Sequence, residues 1–155
     1  MSSEPKERGV VIDVNALYAQ MQAIAEEIAK LREAEGQIAV ALEAVRRAKD
    51  SIDAIVRLQR GRILVPLDPQ LNSFGFVEIA ENDKFIVALG LGYYAEVDAA
   101  KALDTLSSKE RGLLNQLSAV SKMIREYSDL YERYRATLQA LLEQARAGKT
   151  PSRGG

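Results

Sequence analysis

The chain has no His, no Cys and no Trp, so any chemistry falls to its carboxylates, Lys, Ser, Thr and Tyr. That composition excludes a His or Cys zinc site, a disulfide framework, a Ser-His-Asp triad and a thiol nucleophile. Three local arrangements use the residue types that remain. Gly148-Lys149-Thr150 ends like a phosphate-binding loop, but the glycine such a loop needs five residues earlier is Glu143, and a helical run precedes it. Glu26 and Glu27 are adjacent carboxylates of the kind acid–base catalysis uses, yet they fall on the solvated face of a helical pattern, with no pocket to perturb them. Tyr127, Tyr131 and Tyr134 form an aromatic stripe at helical spacing, read as packing against Ile24, Ile28 and Leu31 rather than as a ligand site. No catalytic residue, metal site or cofactor is expected, and the chain is not expected to be an enzyme.

Charge narrows the partners as well. Twenty-one Lys and Arg against 22 Asp and Glu leave a net charge of −1, which gives no electrostatic pull toward nucleic acid or an anionic membrane. The longest uncharged apolar run, Phe85 to Ala95, is about half of the ~20 residues a membrane span needs. The stretch MSSEPKERG lacks the apolar core of a secretory signal. The expectation is a soluble cytoplasmic protein that binds neither nucleic acid nor membrane. Its 155 residues fit one domain.

The elements that must position these residues are marked by the helix breakers. Between Asp13 and Arg60 there is no proline and only Gly36; between Ala99 and Ala147 there is no proline and only Gly112. Residues 61–98 hold Pro66, Pro69, Gly61, Gly75, Gly90 and Gly92. Because Pro and Gly punctuate local structure, the chain divides into a tail (1–12), a first arm (13–60), a middle segment (61–98), a second arm (99–147) and a tail (148–155). The arms are near neutral, with seven basic and eight acidic residues in the first and eight and six in the second, while the middle has two basic against six acidic.

Each arm carries a heptad repeat. The first seam runs Leu17, Met21, Ile24, Ile28, Leu31, Glu35, Ile38, Leu42, Val45, Lys49, Ile52, Val56. The second runs Leu103, Leu106, Glu110, Leu113, Leu117, Val120, Ile124, Tyr127, Tyr131, Tyr134, Leu138, Leu141. Spacings alternate four and three without a slip, which argues for a coiled coil rather than a globular helix face. Asp13 and Asp98 stand where N-caps belong. At ~1.5 Å per residue each arm reaches roughly 70 Å, too long for a compact domain of this size. Arms of matching length joined by a short folded segment pair antiparallel. That pairing brings Lys49 and Glu110, 11 and 12 residues from the middle segment, into the same or neighbouring layers. A polar pair inside a seam costs stability and fixes register. Glu35 has no partner among the seam positions and is expected to reach solvent near Lys122 or Arg125.

The middle segment reads as four strands, Arg62–Leu67, Phe74–Ile79, Lys84–Leu89 and Tyr93–Val97, separated by turn-rich stretches and forming two successive β-hairpins. Pro66 cannot donate a ladder hydrogen bond, so the first strand is expected to be an edge strand or bulged there. Strands this short cannot bury both faces by themselves, and open edges are usually paired or covered. Oligomerisation through the strands follows.

Helix, two hairpins and helix, with both termini at the far end of a coiled coil, resembles the α class of the prefoldin family. Ile63-Leu64-Val65-Pro66-Leu67 resembles the family's first-strand motif. Lys84 to Glu96, with its Gly90-Leu91-Gly92 turn, resembles the second hairpin. The fold class implied is α+β, a long antiparallel coiled-coil hairpin whose two central β-hairpins join a multi-subunit β-barrel platform. The first hairpin loop, DPQLNS, is longer and poorer in glycine than the family pattern. The resemblance implies an ATP-independent chaperone, a hexamer of two α-class and four β-class subunits. Such a complex holds unfolded client proteins at its coiled-coil tips and delivers them to a group II chaperonin. A structural filament or scaffold assembling through the same hairpins is the alternative within the same family.

Client binding would then use apolar residues near the free ends of the arms: Val10, Val11, Ile12, Val14, Leu17, Tyr18 and Met21 on the first, Leu138, Leu141 and Leu142 on the second. Leu17, Met21, Leu138 and Leu141 are seam positions, open also to plain coiled-coil packing. Val10-Val11-Ile12 is either a binding patch or a hydrophobic staple onto the first helical turn. Barrel core and subunit contacts are assigned jointly to Ile63, Val65, Leu67, Phe74, Phe76, Ile79, Phe85, Val87, Leu89, Tyr93, Tyr94 and Val97.

Overall fold

The computed structural model describes residues 13–58 and 60–148. Its elements are α1 (Val14–Arg57), β1 (Arg62–Pro66), β2 (Phe74–Glu78), β3 (Lys84–Gly90), β4 (Tyr93–Asp98) and α2 (Ala99–Ala147). Both helices begin at the expected caps. The Asp13 carboxylate accepts from the Asn15 amide at 2.9 Å, and that of Asp98 accepts from the Lys101 amide at 2.7 Å. Each thereby satisfies a donor that the first helical turn leaves unpaired. Near the other end of α1, the Asn82 side-chain amide donates to the Val56 carbonyl at 3.2 Å.

The described residues form two compact units, one built from 13–35 and 119–148, the other from 36–58 and 60–118. In the first, α1 and α2 run antiparallel, and Leu17, Met21 and Leu138 form a buried cluster ringed by Val14, Tyr131, Tyr134 and Leu141. Ile24 and Leu31 are also buried. Tyr131 and Tyr134 pack at the edge of this cluster, and Tyr131 also flanks one shallow cleft with Ile28. One expectation shifts here. Glu35 does not reach out to Lys122 or Arg125; it accepts a hydrogen bond from the Ser121 hydroxyl at 3.0 Å. Ser121 is short and borders the helix pair, whereas Lys122, one residue on, turns outward and pairs with Glu126.

In the second unit the two helices pick up a third component. Ile52, Val87, Ala102 and Leu106 form a buried cluster, with Val45, Ala48, Phe85, Val97, Ala99 and Leu103 packed around it. One face of the β3–β4 hairpin thus covers the helix pair. Ala102 is 0% exposed there although it lies outside the expected seam, because Val87 closes over α2 at that point and only a small side chain fits. Val56, by contrast, is left more exposed than a seam residue: α2 starts at Ala99, and with Ile52 set against Ala102 and Leu106, Val56 lies past its first turn. The Lys109 ammonium adds a polar tie, donating to the Ala88 carbonyl of β3 at 2.6 Å.

The hairpins are separate two-stranded antiparallel sheets, β1–β2 and β3–β4. β1 and β2 pair from Arg62↔Glu78 to Pro66↔Phe74 without a bulge. Pro66 ends its strand, and every strand of a two-stranded sheet is an edge, so the missing donor costs no ladder bond. Leu67 and Ile79 fall one residue outside the strands, yet their amides still bond to Ser73 and Gly61 at 2.9 and 3.0 Å. The irregularity sits in the other hairpin, between Ala88 and Gly90. Both hairpin loops hold a leucine in the left-handed region, Leu71 at φ 62° and Leu91 at φ 53°; the latter is flanked by Gly90 at 105° and Gly92 at 81°. Glycine adopts that region freely, while a leucine there costs on the order of 1 kcal/mol.

Candidate functional site

The residues assigned jointly to the strands separate into two groups by what covers them. On β3 the side chains alternate, so Phe85 and Val87 face the helices and Ile86 faces away. Val97, paired with Phe85 on β4, joins the covered side. Leu89, Tyr93 and Tyr94 remain exposed, and so do Leu67, Phe74 and Phe76 on the first hairpin. Ile63, Val65 and Ile79 are half-buried. Exposure also marks further apolar residues of the same strands: Ile86 at 72%, Leu64, which pairs with Phe76, and Val77. Period-two alternation was the signal for them, but β3 is apolar on both faces, and the covered face becomes known only when the helices are placed against it.

The outward face of the first hairpin is apolar with a cationic rim. Phe76 is 69% exposed, and the Arg62 guanidinium lies 4.9 Å from its ring centre. The loop that closes this hairpin is organised by one side chain. The Asp68 carboxylate accepts from the Gln70, Asn72 and Ser73 amides, the Asn72 side chain and the Ser73 hydroxyl at 3.0–3.3 Å. Those donors, the Asn72 amide foremost, hold its pKa below the ordinary aspartate value.

At the arm ends the candidates also divide. Leu17, Met21 and Leu138 are buried between the helices, Val14 and Leu141 are half-buried, and Tyr18 and Leu142 are exposed. Val10, Val11 and Ile12 lie outside the described residues. Buried seam residues can reach another chain only where the helices part, whereas Tyr18 and Leu142 need no rearrangement.

Lys49 and Glu110 meet in the second unit. The Lys49 ammonium lies 3.1 Å from one Glu110 oxygen, and the Arg46 guanidinium lies 3.5 Å from the other. The Lys49 hydrogen bond, reinforced by Arg46, holds the Glu110 pKa below its usual value. A lowered carboxylate pKa stabilises the fold above the unfolded-state value, and that contribution disappears as pH falls through the folded-state value. Glu110→Gln is therefore expected to melt below the parent at pH 7, with the gap narrowing as pH falls below the ordinary glutamate value and the parent's own carboxylate takes up its proton. Thermal melts followed by circular dichroism at several pH values check this; a gap that does not narrow as pH falls would assign the loss to packing instead.

Among the described residues no cluster of three or more acidic side chains is placed to hold a metal, and no helix is long and apolar enough to cross a membrane. The arrangement is one of exposed apolar sheet faces and charge-fringed helix pairs, and comparison with known proteins gives it a context. The family model described as Prefoldin subunit matches residues 17–144. The prefoldin subunit alpha of Aeropyrum pernix is 35% identical over 125 residues, covering 81% of this chain and 82% of that protein. The chain belongs to the prefoldin family, in its α class. Prefoldin subunit alpha of Sulfurisphaera tokodaii is 29% identical over 148 residues, 95% of this chain and 96% of that one. Among solved structures, filamentous PFD from Methanocaldococcus jannaschii, determined by cryo-EM, superimposes with a TM-score of 0.65 at 21% identity over 77% of this chain and 98% of that one. That likeness concerns the fold, the α+β arrangement of two long helices around two hairpins. Prefoldins are chaperones, and a chaperone-type role follows for this chain from its membership.

Proposed function

We propose that the chain is an assembly and client-holding subunit of an ATP-independent cytoplasmic chaperone. Residues 61–98 form its platform; residues 13–60 and 99–147 form its arms. The platform joins β-class prefoldin subunits in a hexamer of two α and four β chains. Unfolded proteins are held at the arm ends by Tyr18, Leu142 and the neighbouring apolar residues and are passed to a group II chaperonin. The observation that supports this reading best is the uncovered apolar area on both hairpins, which includes Leu64, Phe76, Ile86 and Tyr94. Monomers rarely leave so many large apolar side chains exposed on adjoining elements, and open strand edges beside them invite another chain. The acidic balance of residues 61–98 favours protein partners over nucleic acid or anionic lipid.

Mixing the purified chain with a β-class prefoldin and several unrelated unfolded proteins tests the proposal. A closed hexamer that suppresses aggregation of all of them is expected. Open-ended fibres formed by the chain alone would favour the filament alternative, and protection of a single protein would make it a dedicated adaptor.

A further inference from the structure

The two hairpins are held to the helices unequally. Phe85, Val87 and Val97 of the β3–β4 hairpin pack with Ile52, Ala102 and Leu106, whereas no residue of β1 or β2 belongs to that described cluster. Just before β3, the Asn82 side chain is tied to the last turn of α1 through the Val56 carbonyl. Val87 is the last residue of β3 in the cluster, and the residue after it carries a bond of a different kind. The Lys109 ammonium donates to the Ala88 carbonyl at 2.6 Å in a half-buried setting. That bond falls on the irregular point of the hairpin. Ala88 pairs with Tyr94 and Gly90 with Tyr93, which leaves Leu89 as an extra residue on β3. A bulge of this kind bends its strand and re-aims the side chains beyond it.

A lysine stem is long enough to carry its charge into open water. The Lys109 ammonium instead turns inward, beside Ile52, Phe85, Leu106 and Tyr94, onto a backbone acceptor. Its neighbour Glu110 is engaged by Lys49 and Arg46, so the inward turn is not made for an ion pair. Holding a charge beside apolar side chains costs free energy, which a short charge-assisted hydrogen bond offsets. Beyond this tie Leu89, Tyr93 and Tyr94 are all exposed.

We propose that Lys109 is a positioning residue for assembly: its bond to the Ala88 carbonyl holds the bulge against α2 and so fixes the direction in which Leu89, Tyr93 and Tyr94 are presented. The assignment rests on the assembly reading above and extends it from the contact residues to the group that aims them. Without the ammonium, the base of the hairpin keeps its apolar cluster and the Asn82 bond, while the outer half is free to swing beyond Val87. An end that swings loses more freedom on docking than one already fixed, so affinity falls although every contact residue is still present.

Lys109→Met in the full chain tests this, because methionine keeps an unbranched apolar stem and lacks the donor. Lys109→Arg restores a donor, Lys122→Met removes a charge from an exposed site, and Phe76→Asp is the control for assembly itself. Amide hydrogen exchange of the isolated chain is read peptide by peptide with mass spectrometry, and association with a β-class prefoldin by sedimentation velocity. In Lys109→Met, exchange is expected to quicken by ~10-fold within residues 84–98 and to stay unchanged within 14–35, and assembly to weaken by ~10-fold. Lys109→Arg is expected to return both toward the parent, and Lys122→Met to alter neither. Unchanged exchange at 84–98 would overturn the proposal. Exchange raised equally along the whole chain would also do so, since Lys109 would then be a general stabiliser. Faster exchange in the hairpin with parent-like assembly, beside a Phe76→Asp variant that no longer assembles, would overturn the positioning role alone. Parent-like assembly of both variants would overturn that role and the assembly reading together. A loss of assembly shared by Lys122→Met would assign the effect to net charge, contrary to the proposal.

Discussion

Replacing Phe76 by aspartate is expected to leave the isolated chain folded and to prevent its assembly. Phe76 is largely exposed, so the substitution removes little buried area from the chain itself. It also exchanges a cation–π contact with Arg62, worth about 0.5–1 kcal/mol at an exposed site, for a possible ion pair with the same guanidinium. In an assembly that covers this face the same carboxylate becomes a charge removed from water, and its short stem cannot carry it back to solvent. Burying an ionised group with imperfect pairing costs several kcal/mol. Since each ~1.4 kcal/mol is a factor of ten in affinity, assembly should weaken by at least ~100-fold. Sedimentation velocity with a β-class partner measures it. An assembly constant that stays within a few-fold of the parent would mean that this face is not the contact.

The second large effect is on stability. Leu106 belongs to the buried cluster with Ile52, Val87 and Ala102, where both helices and the β3–β4 hairpin meet. Leu106→Ala removes side-chain volume from a site walled by three elements, which limits how far the surroundings can collapse. A loss of about 2–5 kcal/mol is expected by urea denaturation. Val40→Ala is the contrast: Val40 is exposed on α1, and its truncation should change stability by no more than about 0.5 kcal/mol. A small loss at Leu106 would show that hairpin and helices do not act as one cooperative structure.

These two sites also show what could be read from the residues before the fold was known. Leu106 stood out because a strict 3–4 alternation of apolar residues leaves few choices of helix face, and the residues of both arms followed it. The turns were similarly plain, with Asp68-Pro69, Asn82-Asp83 and Gly90-Leu91-Gly92 interrupting β-branched runs. The split between covered and uncovered strand residues was not readable. Ile86 and Val87 are equally apolar neighbours, and only the position of Ala102 and Leu106 beneath one of them decides which is buried. Ala102 was missed because a seam is recognised by its large side chains, whereas three-element contacts often need a small one. Glu35 was misplaced because Ser121, four residues before Arg125 and just off the seam, supplied the shorter reach. The left-handed leucines carried no sequence signal, because leucine is not a residue that predicts positive φ.

The chaperone account depends most on the arm ends, where buried Leu17, Met21 and Leu138 lie near exposed Tyr18 and Leu142. The direct measurement is aggregation suppression by the assembled hexamer after deletion of residues 1–21 together with 138–155. The account predicts that the truncated chain still assembles with its β-class partner, since the hairpins are untouched, and that protection of unfolded proteins is lost. Full protection by the truncated hexamer would contradict it, and so would a truncated chain that no longer assembles.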